Sequence, residues 1–116
     1  MMDQIAFLAC PARDMNRAVD FYRRVLGLSL LFQREDWSEF KVGGVRLALY
    51  REDHPGDAPA RPAISFQARP IEKKIARLKA QGVVMDGELE QHAYGKLACF
   101  FDSEGNRLGL YEPPTA

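Results

Sequence analysis

Cysteine, histidine and tryptophan are scarce in this chain, and neither sign of charge is in excess. Only Cys10 and Cys99 occur, far apart and in apolar contexts, with no Cys-x-x-Cys pair and no histidine beside them. That excludes a disulfide framework and a thiolate zinc site, and leaves two reduced thiols in the interior. His54 and His92 stand alone, outside any His-x-His or His-x-x-x-His spacing with a carboxylate, so the short metal motifs are missing. Both read as exposed loop residues, and Glu88, Glu90 and Glu112 read as solvated surface. The 16 basic and 16 acidic side chains cancel to a formal net charge of zero. They are interleaved along the chain, so no broad positive field gathers phosphates and nucleic acid is not an expected partner. No run approaches the roughly 18 to 20 apolar residues of a membrane span, so no membrane partner is expected. The apolar stretch 5–10 is too short for a signal-peptide core and follows an acid rather than a basic segment, which predicts a cytoplasmic protein.

What is present is the pattern of a small α+β domain. A chain of 116 residues can bury a hydrophobic core without metal or disulfide staples. The short apolar run 5–10 predicts a first strand. Asp14 is a good N-cap for a helix over 15–26, in which Met15, Ala18, Val19, Tyr22, Val25 and Leu26 fall on one face and Gly27 ends it. Strand-like pieces follow at 28–34, 39–42 and 45–51, the last two separated by the Gly43-Gly44 turn signal, and they read as antiparallel. Residues 54–62, with three prolines, can continue neither helix nor strand and read as a linker. The order then repeats: a strand over 63–68, a helix over 70–81 stopped by Gly82, and strands near 83–85, 96–101 and 107–111.

The repetition is also legible in the letters. GVRLALY at 44–50 matches GNRLGLY at 105–111 with five identities in seven, where the last strand of each half is expected. The prediction is a single domain over 1–116 made of two βαβββ modules, one over 1–53 and the other over 63–116, joined by the linker.

Two stretches resemble the vicinal-oxygen-chelate superfamily, the glyoxalases, bleomycin-resistance proteins and extradiol dioxygenases. ARDMNRAVDFYRRVLGL at 12–28 is similar to that family's first-helix signature, and FFDSEGNRLGLYEP at 100–113 to its closing one. The resemblance implies curled antiparallel half-barrels enclosing a cavity, with helices on the outer faces. It also implies a divalent metal held by His, Gln or Glu at four strand positions, which here are Phe7, Ala48, Ala63 and Gly109. None of the four carries a lone pair that can ligate a metal, and their chain neighbours are no better. No metal cofactor is expected.

If the alternation along the repeated strands is kept, Ile5, Ala9, Arg46, Tyr50, Ser65, Gln67, Arg107 and Tyr111 share a face with those positions, joined by Trp37, Phe40 and Tyr94. Aromatics, two repeat-related arginines and neutral hydrogen-bonding groups are the mixture expected of a pocket for a partly apolar, partly anionic or planar small molecule. The expected ligand contacts are Phe7, Trp37, Arg46, Tyr50, Ser65, Gln67, Tyr94, Arg107 and Tyr111. The same aromatics would serve equally as packing. The two readings part on the arginines, which are costly to bury unless a ligand anion or a protein carboxylate meets them. A metal-free small-molecule binder, resembling the bleomycin-resistance type, is the first reading. A glyoxalase-like lyase or dioxygenase with an unconventional site is the second, and a structural or interaction subunit the third. A homodimer is expected from the open half-barrels and the Pro-rich linker.

Overall fold

The computed structural model describes residues 2–115 and resolves into two compact units that divide between Asp57 and Ala58. Each holds one four-stranded sheet and one helix. In unit 1, β1 (Leu8–Ala12) leads to α1 (Met15–Asp20), then β2 (Ser29–Gln33), β3 (Trp37–Val42) and β4 (Val45–Arg51), with sheet order β1-β4-β3-β2. In unit 2, β5 (Ser65–Gln67), α2 (Ile71–Ala80), β6 (Met85–His92), β7 (Gly95–Phe101) and β8 (Arg107–Glu112) give the order β5-β8-β7-β6.

The fold is α+β, and β2–β3–β4 and β6–β7–β8 pair antiparallel as expected, but each first strand adds in parallel, so the sheets are mixed rather than wholly antiparallel. The helix carries the chain from one edge of the sheet to the other, so the closing strand returns beside the first and runs parallel to it: β1 with β4, β5 with β8. Both first strands lie at edges. That position tolerates Pro11, whose missing N–H faces away from the ladder, so β1 runs through the proline expected to end it.

Helix α1 begins where expected, the Asp14 side chain accepting from the Arg17 N–H at 3.1 Å. It does not stay α-helical. The chain widens into a π-helical turn over Phe21–Val25, with Leu26 N–H donating to the Phe21 carbonyl five residues back at 3.1 Å, before Gly27 (φ +72°) ends it. Helix α2 starts after Pro70, which has no capping side chain. Its first free N–H, on Ile71, is taken instead by the Glu112 carboxylate of β8 at 3.0 Å, while Lys96 Nζ of β7 bridges to Glu72 at 2.7 Å. Strand β6 is longer than expected because Gly87 (φ +79°) falls at a register shift between Asp86 and Glu90 that lets the chain rejoin the ladder.

The core of each unit is the helix packed on one face of its own sheet. In unit 1, Tyr22 of the helix lies 5.8 Å from Phe40, and Phe40 is paired across the ladder with Leu47. In unit 2, Phe100 is paired with Leu108 at the corresponding place. Phe40 and Phe100 are both fully buried. Phe40 thus belongs to the helix side and not to the expected ligand face: it stands three residues from Trp37 on one strand, and residues an odd number apart point to opposite faces. Among the described residues no helix is long and apolar enough to cross a membrane.

Replacing Phe40 by Ala, and separately Phe100 by Ala, is expected to cost about 3–5 kcal/mol each, the range for a phenyl ring removed from a closed core. The reading is a fall in unfolding free energy in urea. A loss under about 1 kcal/mol at either position would take that ring out of the core.

Candidate functional site

The face of each sheet opposite its helix is set by ladder register, since directly paired residues point the same way. In unit 1, Trp37 pairs with Tyr50, Glu39 with Ala48 and Lys41 with Arg46. Across the parallel pair, Ala9 meets Ala48 and Pro11 meets Tyr50, while Phe32 of β2 meets Glu39. Phe7, just before β1 and 41% exposed, reaches the same face, its ring edge-on to Trp37 at 5.2 Å.

A carboxylate that the sequence reading passed over organises this face. Glu39 accepts from the Trp37 indole N–H at 2.7 Å through one oxygen and from Arg46 Nη1 at 3.1 Å through the other. Its side chain is 14% exposed and that of Arg46 is 61% exposed. The Trp37 hydrogen bond, reinforced by Arg46 against the opposing effect of burial, holds the Glu39 carboxyl below its ordinary value. Arg34 adds positive charge nearby, its guanidinium lying over the Phe32 ring at 5.1 Å.

In unit 2, Ser65 pairs with Gly109, Gln67 with Tyr111, Leu97 with Tyr111, Cys99 with Gly109 and Phe101 with Arg107. Tyr94, 56% exposed at the β6–β7 turn, stacks on His92 at 4.8 Å, and its carbonyl accepts from the Tyr111 hydroxyl at 2.7 Å. Arg107 is largely covered and engaged through Nε, Nη1 and its planar face. Its Nε donates to Asp86 at 2.5 Å, its Nη1 donates to the Pro59 carbonyl, and its guanidinium lies over the Phe101 ring at 5.1 Å. Residues 58–62, part of the stretch expected to be linker, are thereby strapped across β8. A Cβ on Gly109 would stand 3.1 Å from the Pro62 ring and would overlap Ser65 Oγ.

The nine expected ligand residues therefore fall into two groups by unit. Phe7, Trp37, Arg46 and Tyr50 gather on the open face of unit 1, and Ser65, Gln67, Tyr94, Arg107 and Tyr111 gather on that of unit 2. Both arginines meet protein carboxylates, one of the two possibilities open from sequence. A period-two count from Trp37 would have found Glu39. Asp86 escaped notice because β6 was read as ending at residue 85. Two grooves lie elsewhere, about 650 Å³ beside Arg13, Asn16, Arg34 and Arg51, and about 270 Å³ between α2 and β6; none of the nine lines either.

Phe7, Ala48, Ala63 and Gly109, the four positions to which the resemblance assigns metal ligands, offer no ligating side chain. Ala48 is closed in between Ala9 and Glu39, and Gly109 lies between Ser65 and Cys99. Among the described residues no group of three or more His, Cys, Asp or Glu side chains is placed to hold an ion. The cysteines carry no disulfide, and burial, with Asp86 adding to it, pushes the Cys99 thiol up, away from nucleophilic thiolate.

Comparison with known proteins agrees with this architecture. The family model of the glyoxalase/bleomycin resistance protein/dioxygenase superfamily matches residues 4–110. Among solved structures, TnmS3, an antibiotic binding protein from Streptomyces sp. CB03234, is 26% identical, covering 97% of this chain and 98% of its own, with a TM-score of 0.77. A glyoxalase family protein from Enterococcus faecalis is also 26% identical, covering 94% of this chain and 97% of its own, with a TM-score of 0.77. The genomically encoded fosfomycin resistance protein FosX from Listeria monocytogenes, at 17% identity and a TM-score of 0.84 over 98% of this chain and 96% of its own, shares the fold. No curated protein matches the sequence.

Two outcomes test this geometry. Gly109→Ala is expected to destabilise by about 1–3 kcal/mol through the overlap with Ser65, and Gly109→Ala/Ser65→Gly to recover much of that; equal losses in both would mean that the crowding lies elsewhere. The second is a pH dependence. Because the Glu39 carboxyl titrates lower in the folded state than in the unfolded one, its stabilising effect is complete above the unfolded pKa and is lost as pH falls through the folded one. The stability gap between wild type and Glu39→Gln, measured by thermal melts, should narrow below about pH 4, and a gap that widens there would contradict the assignment.

Proposed function

Since the chain belongs to the glyoxalase/bleomycin resistance protein/dioxygenase superfamily but carries no ligating side chain at Phe7, Ala48, Ala63 or Gly109, we propose that it is a metal-free protein that binds a small molecule on the open sheet face of unit 1. The observation that carries this reading is the Phe7–Trp37–Glu39–Arg46 assembly. It is an aromatic surface left accessible on a sheet whose other face already supplies the core. Packing needs alone do not account for a tryptophan tied by its N–H to a charged carboxylate there. An aromatic pair fixed at its polar end is a preorganised platform for a flat, partly apolar ligand.

The likeness to an antibiotic-binding protein at 26% identity supports sequestration over turnover. Phe7, Trp37 and Tyr50, on the open face of unit 1, are the aromatic contacts assigned to the ligand, with no metal cofactor. The same reading takes the protein to be a cytoplasmic homodimer, for which light scattering showing only monomer at tens of micromolar would be the contrary result.

The experiment is recovery of bound small molecules by mass spectrometry from protein purified natively without chelator, followed by titration of the recovered compound. Trp37→Leu and Tyr50→Leu should each weaken it roughly 3- to 10-fold, the worth of an aromatic contact beyond its area. Added zinc, nickel, iron or manganese should leave the melting temperature unchanged, because an ion that bound the folded state would raise it. One tightly held metal per chain, or a recovered compound indifferent to both aromatic substitutions, would refute the proposal.

A further inference from the structure

The strand motif common to the two halves places Arg46 and Arg107 at equivalent positions, yet the two side chains are in different situations. Arg107 is 18% exposed, and its Nε, Nη1 and ring face are engaged inside unit 2, on Asp86, the Pro59 carbonyl and the Phe101 ring. Arg46 is 61% exposed and, among the described residues, makes one charge contact, through Nη1. A guanidinium has five N–H donors in a planar fork, so Arg46 presents a solvent-facing edge to another oxygen acid, whereas the largely covered Arg107 has Nε and Nη1 committed to its own unit.

Resting on the reading that the open face of unit 1 binds a small molecule, we propose that Arg46 is the receptor for an anionic group, a carboxylate or phosphate, carried on an aromatic or conjugated ligand, and that Arg107 is a structural clamp with no part in ligand recognition. Four features of the face fit that chemistry. Glu39 joins Arg46 and Trp37 through its two oxygens, so the cation and the ring platform are held as one piece. Each carboxylate oxygen of Glu39 has a donor within the protein, Trp37 on one and Arg46 on the other. Exposed Lys41 is paired with Arg46, and Arg34 stands close enough to Glu39 to lower its pKa, so three cations face one acid. The Lys41/Arg46 pair lies four residues along the ladder from the Trp37/Tyr50 pair, roughly 13 Å at 3.3 Å per residue. Between them lie buried Ala48 on β4 and Glu39 on β3, whose carboxylate spans from the ring to the cation.

The test uses three matched probes, 4-phenylbutyrate, 4-phenylbutanol and 4-phenylbutylammonium, followed by the fluorescence of Trp37, the chain's single tryptophan. Wild type is expected to bind the carboxylate at least about tenfold more tightly than the ammonium, with the alcohol between, as one charge-assisted hydrogen bond requires. Arg46→Met should remove that preference while leaving the alcohol within about twofold, and Arg107→Met should keep the preference while lowering the melting temperature. Arg107→Lys is the milder variant where Arg107→Met does not fold, with the same expectation. Equal binding of all three probes, a preference for the ammonium, or a preference that survives Arg46→Met but not loss of Arg107, overturns the inference and leaves the small-molecule reading standing. No response of Trp37 to any probe, together with no natively recovered compound, overturns both.

Discussion

The constraint on which the rest depends is the alternation of the closing strand of each unit. Leu47 and Leu49, like Leu108 and Leu110, are buried on the helix side, and each is worth about 1.5–3 kcal/mol of apolar burial. A slip of one residue would turn both leucines of a strand to the opposite face and drive an arginine under the helix, at a cost of several kcal/mol. Register is therefore fixed by packing. Once it is fixed, Arg46, Ala48 and Tyr50, and likewise Arg107, Gly109 and Tyr111, have no choice but the other face. The site is a by-product of the core's demand for leucine at every second position.

From that common start the halves diverge. Arginine at the head of the strand keeps an open edge in unit 1 and is consumed as a clamp in unit 2. The small middle residue admits a carboxylate beside it in one case, Glu39 next to Ala48. In the other it admits a proline ring, Pro62 over Gly109. A duplicated strand thus carries two different devices, which is why family membership settles the fold here and the side chains must be read one by one for function.

The residues that sequence made legible are those whose reason is local. Asp14 and Gly27 bound the first helix because capping and left-handed backbone are properties of single residues, and the range of β4 is as read. What was not legible depends on partners distant in the chain. The parallel pairing of β1 with β4 leaves no trace in the letters of either. The acceptor for the first free N–H of α2 is Glu112, 41 residues from Ile71. Phe40 was placed on the wrong face because β3 was started at Glu39, which hid its alternation with Trp37, and the acids that meet both arginines belong to strands whose limits were misjudged.

The central claim is that ligand meets the face opposite the helix and not the helix side or the grooves. Adjacent residues of β4 report on the two faces separately: the Ala48 methyl faces one way, and the Leu47 and Leu49 methyls face the other. Methyl NMR spectra recorded while the natively recovered compound is added should show the Ala48 signal and the Trp37 indole N–H moving together, with the two leucines nearly still. Movement of Leu47 and Leu49 with Ala48 and Trp37 unchanged would contradict the account.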